Sequence, residues 1–566
     1  MKREKCDLVI RGAKVFNVFT GEVQEGDIAV KNGKIAGVGQ GYDGEQVYEA
    51  KGRFALPSFI DAHIHVESST LSPEEFAYLS VSHGTGVIIA DPHEIVNVCG
   101  IAGAEYMKEA FARILHKGVN PLEVCLQLPS CVPATPYETS GAVIDGRESE
   151  REIGRELFYG LGEFMNYPAV LSADHEALAK IEAAQAAGKI IDGHAPALKG
   201  DSLDAYAAAG VKTDHECVNA EDCVEKLKRG LYVQLRNGSS ARNLEENAKA
   251  IDEYNYRRFI LCSDDKNAYD LSVNGQMDDA LRKLVRCGIP ARQAIACATL
   301  NTAECYGLKG KGALAPSYDA DIVLVEDLKD FVVSAVFKRG VLAAENGRAL
   351  FSNKHYTSAA VKSTVKIKKV TEDDFKLNLF GKVRVMKIKP GGIMTEEEIL
   401  SVKSEAGDVI LPEGVCKLCV IERHFASGNM GKCLLSGYGL KGGALGISVA
   451  HDSHNLVIAG DNNLAMARVS ALLEGAGGGM AIVADGLEKV FALDIAGLMS
   501  SKPYAEVVKE TEEITSVARG MGICKGTEPF MTLVFLSLAV IPKLRLTDKG
   551  LVDVDKFEIV PVQIEE

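Results

Sequence analysis

A chain of 566 residues is too long for one ordinary domain and points to two to four. Its 47% hydrophobic and 25% charged residues are enough to build large cores, and a net charge of −15 argues against the basic face that a nucleic-acid partner requires. No apolar segment of an export signal follows Met1-Lys-Arg-Glu-Lys5, and the longest apolar run, 530–541, is about half of the roughly 20 residues that span a bilayer. Fourteen cysteines in such a chain read as reduced, mostly buried thiols, so a cytoplasmic protein without a membrane partner is expected.

Residues 6–56 carry short alternating runs broken by turn residues, such as Asp7-Leu-Val-Ile-Arg11 and Asp27-Ile-Ala-Val30, which predict a small antiparallel β-unit. The pattern returns in Asp321-Ile-Val-Leu-Val325, Val332-Val-Ser-Ala-Val-Phe337 and Gly340-Val-Leu342, so the two flanks are expected to pair as one split β-domain, 1–56 with 316–360. Between them, strand and helix alternate. Eight strands are predicted around Ala55–Ile64, Gly86–Asp91, Glu123–Leu128, Tyr159–Phe164, Lys189–His194, Val211–Glu216, Leu231–Arg236 and Phe259–Asp264. Helices are predicted between them, including Pro73–Ser82, Ala102–His116, Glu176–Ala187, Leu203–Ala209 and Ala241–Tyr254. That alternation predicts an α/β fold, a (β/α)8 barrel over 57–315. The polar stretch Lys362–Asp374 reads as a linker to a further mixed α/β domain within 361–566.

The histidines carry the functional signal. His63, His65, His194 and His215 end predicted strands one, five and six, Glu163 ends strand four, and Asp264 ends strand eight. In a (β/α)8 barrel those ends open onto the face where active sites form. His63 and His65 are two apart on a strand and so share one side. Imidazoles and carboxylates converging there suit a divalent transition metal, and two metals need a carboxylate that spans them, a place Glu163 fits.

Pro57-Ser-Phe-Ile-Asp-Ala-His-Ile-His65 resembles the strand-one signature of the amidohydrolase superfamily, as do the stretches Ala298–Ala303 and Gly312–Asp321. Within it the chain is similar to the adenine deaminase family. The resembling stretches are His65-Val-Glu-Ser-Ser69, Ala90–Val98, Gly160–Asn166, Asp192–Pro196, Asp214-His-Glu216 and Cys262–Asp265, then Ser448–Asn455 and Ala496–Ser500 in the last unit. The resemblance runs nearly end to end. It implies a barrel with a split β-domain and a C-terminal domain of adenine-deaminase type, and hydrolysis of adenine to hypoxanthine and ammonia in purine salvage. It also implies a small-molecule purine substrate, a homo-oligomer such as a dimer, and two divalent metal ions. Manganese or iron is expected, zinc being compatible, with His63, His65, Glu163, His194, His215 and Asp264 at the ligand positions. Gly275-Gln276 departs from the expected Gly-His, which puts a proton-shuttle role there in doubt.

On that reading a metal-bound hydroxide attacks C6 of the purine, and Asp264 takes the proton and delivers it to the leaving amine. Glu67 and Glu216 are both candidates to protonate ring N1. The alternatives are another deaminase or cyclic-amide hydrolase of the superfamily, or a non-catalytic assembly protein.

Two further histidine groups have two readings each. His93-Glu94 reads as a pocket lining or metal ligand, or as a polar rim loop; His451-Asp-Ser-His454 as a lid or second metal site, or as a hydrogen-bonded turn. Cys416-Lys-Leu-Cys419 has no second pair at zinc spacing and reads as buried thiols. Gly437-Tyr-Gly-Leu-Lys-Gly442 fits GxGxxG without the βαβ context that dinucleotides need.

Overall fold

The computed structural model describes residues 5–239, 241–352, 354–389 and 394–564. The chain divides into two compact units. The first holds 1–92, 107–130 and 145–356, and the second holds 93–106, 131–144 and 357–566.

In the first unit, five strands from the amino-terminal flank and four from 322–349 form one nine-stranded sheet among the described residues. The flanks join where Phe54–Pro57 runs antiparallel to Ile322–Val325, with Leu56 opposite Val323. Ile10, Val15, Ile28, Leu324 and Phe337 are buried together on it.

Eight parallel strands follow in the same unit: β1 (Phe59–Ile64), β2 (Thr85–Ala90), β3 (Glu123–Leu128), β4 (Gly160–Phe164), β5 (Ile190–Gly193), β6 (Thr213–Asp214), β7 (Tyr232–Arg236) and β8 (Phe259–Cys262). The first five form one sheet and the last three another. A parallel bridge between Ile64 and Asp264 links β1 to the end of β8, and the Lys212 amide donates to the Ile191 carbonyl (2.9 Å) between β5 and β6. Every residue of β1 is buried, as expected of a parallel strand covered on both faces. Helices between strands start where the sequence supplies caps. Ser72 accepts the Glu75 amide ahead of Pro73–Ser82, and Asn219 accepts the Asp222 amide ahead of Ala220–Lys228.

Three expectations change. The strand read as Ala55–Ile64 is two strands broken at Ser58, because Phe54–Pro57 belongs to the antiparallel sheet. The helix expected over Ala241–Tyr254 is only Leu244–Asn247 plus a 3-10 turn, since Asp252 and Asn255 hydrogen-bond a local turn instead. The stretch expected as a linker buries Val365 and Ile367 in the core of the second unit.

At the amino-terminal end of the parallel strands, Asp321 is clamped between Lys311 and Lys338, each at 2.8 Å. Lys311 also meets Glu123 at the start of β3 (2.8 Å), and Lys338 donates to the Gly86 carbonyl (2.8 Å). Burial pushes the Asp321 carboxyl up, but the two ammonium charges outweigh it and hold the group far below its ordinary range.

Among the described residues, the second unit is built on an eight-stranded sheet with Val415–Ile421 and Leu456–Gly460 near its middle. Helix Asn463–Ala476 lays Met466, Val469 and Leu473 on it, is capped by Asn462, and ends at Gly477 with φ 76°. Cys416 and Cys419 are buried free thiols. Gly437–Gly442 connects two strands and leads into no helix. Phe530 lies in helix Pro529–Leu536, and no described helix is long and apolar enough to cross a membrane.

Candidate metal centre

The carboxyl ends of the parallel strands bring His63, His65, Glu163, His194, His215 and Asp264 together. Five of the six are at most 5% exposed, and His194 is half-buried. His65 Nε2 lies 3.1 Å from His63 Nε2, 3.2 Å from Asp264 Oδ1 and 3.3 Å from Glu163 Oε1. The other carboxylate oxygen of Glu163, Oε2, lies 2.7 Å from His194 Nδ1 and 3.1 Å from His215 Nε2. Glu163 therefore faces one imidazole group with each oxygen.

Local structure sets these positions. Glu163 is the fourth residue of the five-residue β4, and its amide donates to Asp91 Oδ2 (3.0 Å) at the end of β2. The amide of Asp264 donates to the His63 carbonyl (2.9 Å), and Asp264 itself has a left-handed backbone, φ 56°. Asp and Asn tolerate that region better than most residues, yet it is an uncommon conformation. Asp214 accepts the amides of Ala195 and Glu216 (both 2.8 Å) and is paired with the buried Lys226 (2.7 Å), which fixes the loops that carry His194 and His215.

The electrostatics call for a cation. His65 Nδ1 faces the Asp91 carbonyl (3.0 Å), so it is the protonated nitrogen, and the neutral ring presents a lone pair at Nε2. That lone pair and two carboxylate oxygens converge at just over 3 Å, an arrangement that is repulsive unless a proton or a metal ion lies among them. In the bare protein, protons answer the demand. Burial pushes His65 down, but Asp264 and Glu163 raise it well above its ordinary value. Burial also lowers His194, and the charges of Glu216 and Glu163 carry it up to about 9. Burial raises Glu163 and Asp264, and their neighbours outweigh it: chiefly the His194 charge for Glu163, and the His65 hydrogen bond with the Arg236 charge for Asp264. Both end well below the carboxylate range.

Two models of known families match the sequence: that of the amidohydrolase family over residues 54–343, and that of the adenine deaminase C-terminal domain over 392–558. A protein named adenine deaminase 2 from Carboxydothermus hydrogenoformans is 43% identical over 566 residues, covering 99% of this chain and 98% of its own. One named adenine deaminase from Nitratidesulfovibrio vulgaris is 42% identical over 568 residues, covering 99% and 97%. The chain belongs to the adenine deaminase family. Among solved structures, a β-aspartyl dipeptidase from Fervidobacterium islandicum aligns with a TM-score of 0.44 at 17% identity, over 62% of this chain and 99% of that one.

In this member of the adenine deaminase family, Arg236 stands beside the cage and is a residue that sequence reading did not single out. Arg236, ending β7, donates from Nη1 to Asp264 Oδ2 (3.0 Å) and grips both oxygens of Glu216. The signal was available: Gln234 and Arg236 are polar, two apart on one face of an otherwise apolar strand. Glu67 is buried in the 3-10 turn Val66–Ser69 that follows β1. Gln276 is fully buried and donates to Asp61 Oδ2 (2.7 Å), while Asp61 Oδ1 accepts the Ser263 amide (2.9 Å). The glutamine thus ties β1 to the helix Met277–Arg286, a structural duty.

Proposed function

We propose that this protein deaminates adenine to hypoxanthine and ammonia, the activity for which its relatives are named, as a step of purine salvage. The observation that carries the reading is Glu163, with its two oxygens turned to two separate imidazole groups in a chain of this family. The eight parallel strands, bonded at both seams between their two sheets, are read as one closed (β/α)8 barrel over 57–315. The flanks 1–56 and 316–360 then form its β-domain, and 361–566 the additional domain.

The six side chains fit a pair of divalent ions. Imidazole and carboxylate suit manganese or iron, zinc being compatible, and the facing lone pairs around His65 are what a cation would relieve. His63, His65 and Asp264 would hold one ion, His194 and His215 the other, and Glu163 both. Such ions, when bound, lower the pKa of water to about 7 and so supply a nucleophile at neutral pH.

The protein's own groups do the remaining work. Asp264 accepts the proton released as water adds to C6, then gives it to the departing amine, which leaves as ammonia. Arg236 pins Asp264 Oδ2 and leaves Oδ1 turned towards His65 and His63. Ring N1 must gain a proton as the ring loses aromaticity. Both oxygens of Glu216 are engaged as acceptors by Arg236, which favours Glu67 as the donor.

The test is ammonia release by metal-replete protein from adenine, adenosine, guanine, cytosine and hydantoin. Release from adenine is expected. A metal-loaded sample that produces none from adenine removes the proposal.

A further inference from the structure

Two stretches far apart in the sequence, His93-Glu94 and His451-Asp452-Ser453-His454, meet inside the second unit. His93, Glu94, His451, Asp452 and His454 are all at most 7% exposed. Glu94 stands in the first turn of helix His93–Cys99 and is the hub. Its Oε1 pairs with His451 Nδ1 and lies 3.3 Å from His93 Nε2, while its Oε2 pairs with His454 Nε2. Asp452 Oδ1 lies 3.9 Å from His93 Nε2. Ligand atoms of His93, Glu94, His451 and Asp452 all fall within 4.8 Å of one another.

Tautomers separate ligands from support. His454 Nδ1 accepts the Ala450 amide (3.1 Å), so the proton of a neutral ring sits on Nε2 and is donated to Glu94 Oε2. His454 therefore has no lone pair to offer on that side, and it orients Glu94 instead. His93 and His451 turn Nε2 and Nδ1, respectively, towards Glu94 Oε1. The turn that carries the group is itself held. His424 Nε2 meets the Ser453 carbonyl (2.8 Å), Asn455 donates to the Thr139 carbonyl (2.9 Å), and His454 adopts a left-handed φ of 55°. Arg423, fully buried beside the turn, donates to the carbonyls of His454 and Ala496.

Two buried carboxylates facing imidazoles need positive charge among them. A tetrahedral ion with bonds of about 2.1 Å separates its ligand atoms by about 3.4 Å. The His93–Glu94 and His93–Asp452 separations bracket that edge. We propose that His93, Glu94, His451 and Asp452 bind one divalent transition-metal ion. Four protein ligands close the coordination shell, as in sites that hold a fold together rather than perform chemistry. His454 is the positioning residue for Glu94, in the manner of groups that orient metal-bound carboxylates. The ion fastens segment 93–106 to the turn at 451–454 within the second unit.

This inference uses none of the residues of the strand-end cage, so the two stand or fall separately. The experiment loads the full-length protein with Co2+, removes excess, and counts metal per chain together with the visible absorption of tetrahedral Co2+. The wild type is expected to hold one equivalent more than Glu94→Gln or His93→Asn, and a His63→Asn/His194→Asn variant is expected to keep that equivalent and its band. The same equivalent should raise the unfolding temperature, a gain lost in Glu94→Gln. Wild-type stoichiometry and spectrum in both Glu94→Gln and His93→Asn overturn the proposal. A wild type that holds no Co2+ beyond what the His63→Asn/His194→Asn variant loses overturns it without recourse to ligand variants of the new site. If the cage binds nothing while the wild type still holds one equivalent that Glu94→Gln loses, this site stands and the proposed function falls.

Discussion

The two ends of the parallel strands in the first unit both bury clusters of opposite charge, and they differ in where the positive charge comes from. At the amino-terminal end the chain supplies it, as Lys311 and Lys338 against Asp321. At the carboxyl end, Glu163 and Asp264 face imidazoles with lone pairs turned inward, and Arg236 serves only one oxygen of Asp264. One cluster is closed by the ammonium charges of the chain's own lysines. The other is open to exchange a proton or a metal ion, which is the condition for chemistry. Fold and function are thus expected to separate along the length of the same strands.

That separation can be broken by experiment, most strongly at Asp264. Asp264→Asn is expected to lower kcat by about 10²–10⁴-fold while metal content is kept; steady-state rates on a sample of known metal content decide, and near-normal turnover would erase the distinction. Next comes the other end. Removing one partner of a buried ion pair costs about 3–5 kcal/mol, so Asp321→Asn should lower denaturant stability by that order with kcat per folded molecule unchanged. Lost turnover in the folded variant would mean that the ends are coupled. The pH dependence has a defined sign. Asp321 has a folded-state pKa below its unfolded value of about 3.9, so its stabilisation is present above that value and is lost as pH falls further; the Asn variant should lack this acid-side loss.

Gln276→Leu leaves a buried oxygen of Asp61 without its donor and should cost about 1–3 kcal/mol of stability, read by thermal or denaturant unfolding. A collapse of turnover with stability intact would instead give Gln276 a place in the chemistry. The smallest effect belongs to Asn219→Ala, which removes the cap of helix Ala220–Lys228 and should cost about 1 kcal/mol. A large effect on rate there would show that this helix is not a passive support.

Most of this contrast is legible in the sequence at the carboxyl end and little of it at the other. His63 and His65 sit on a strand whose period of two puts both on one face, and Glu163, His194 and His215 follow short apolar runs with turn residues beyond. Asp321 was visible only as the start of a strand, because its meaning depends on Lys311 and Lys338, and nothing local announces a pairing across a sheet. The polarity of Arg236 on an apolar strand is visible, but the same limit hides its partners Glu216 and Asp264, which follow β6 and β8. Ala55–Ile64 reads as one apolar run, and only the pairing of Leu56 with Val323 reveals that it serves two sheets. Lys362–Asp374 reads as a linker from its charge, whereas Val365 and Ile367 alternate inward. The packing of 93–106 and 131–144 with 357–566 is a tertiary choice that no local pattern encodes.

The bond from the Asp264 amide to the His63 carbonyl has a consequence for when the protein becomes active during its own synthesis. The neighbouring pair Asp61 and Ser263 is 202 positions apart along the chain. Contacts of such span form late, because the loop entropy must be overcome before they contribute. The first histidines emerge from the ribosome long before their last carboxylate partner. A chain ending before Asp264 carries an incomplete cage, so the proposed metal centre can form only after β8 and the residues just beyond it have been made.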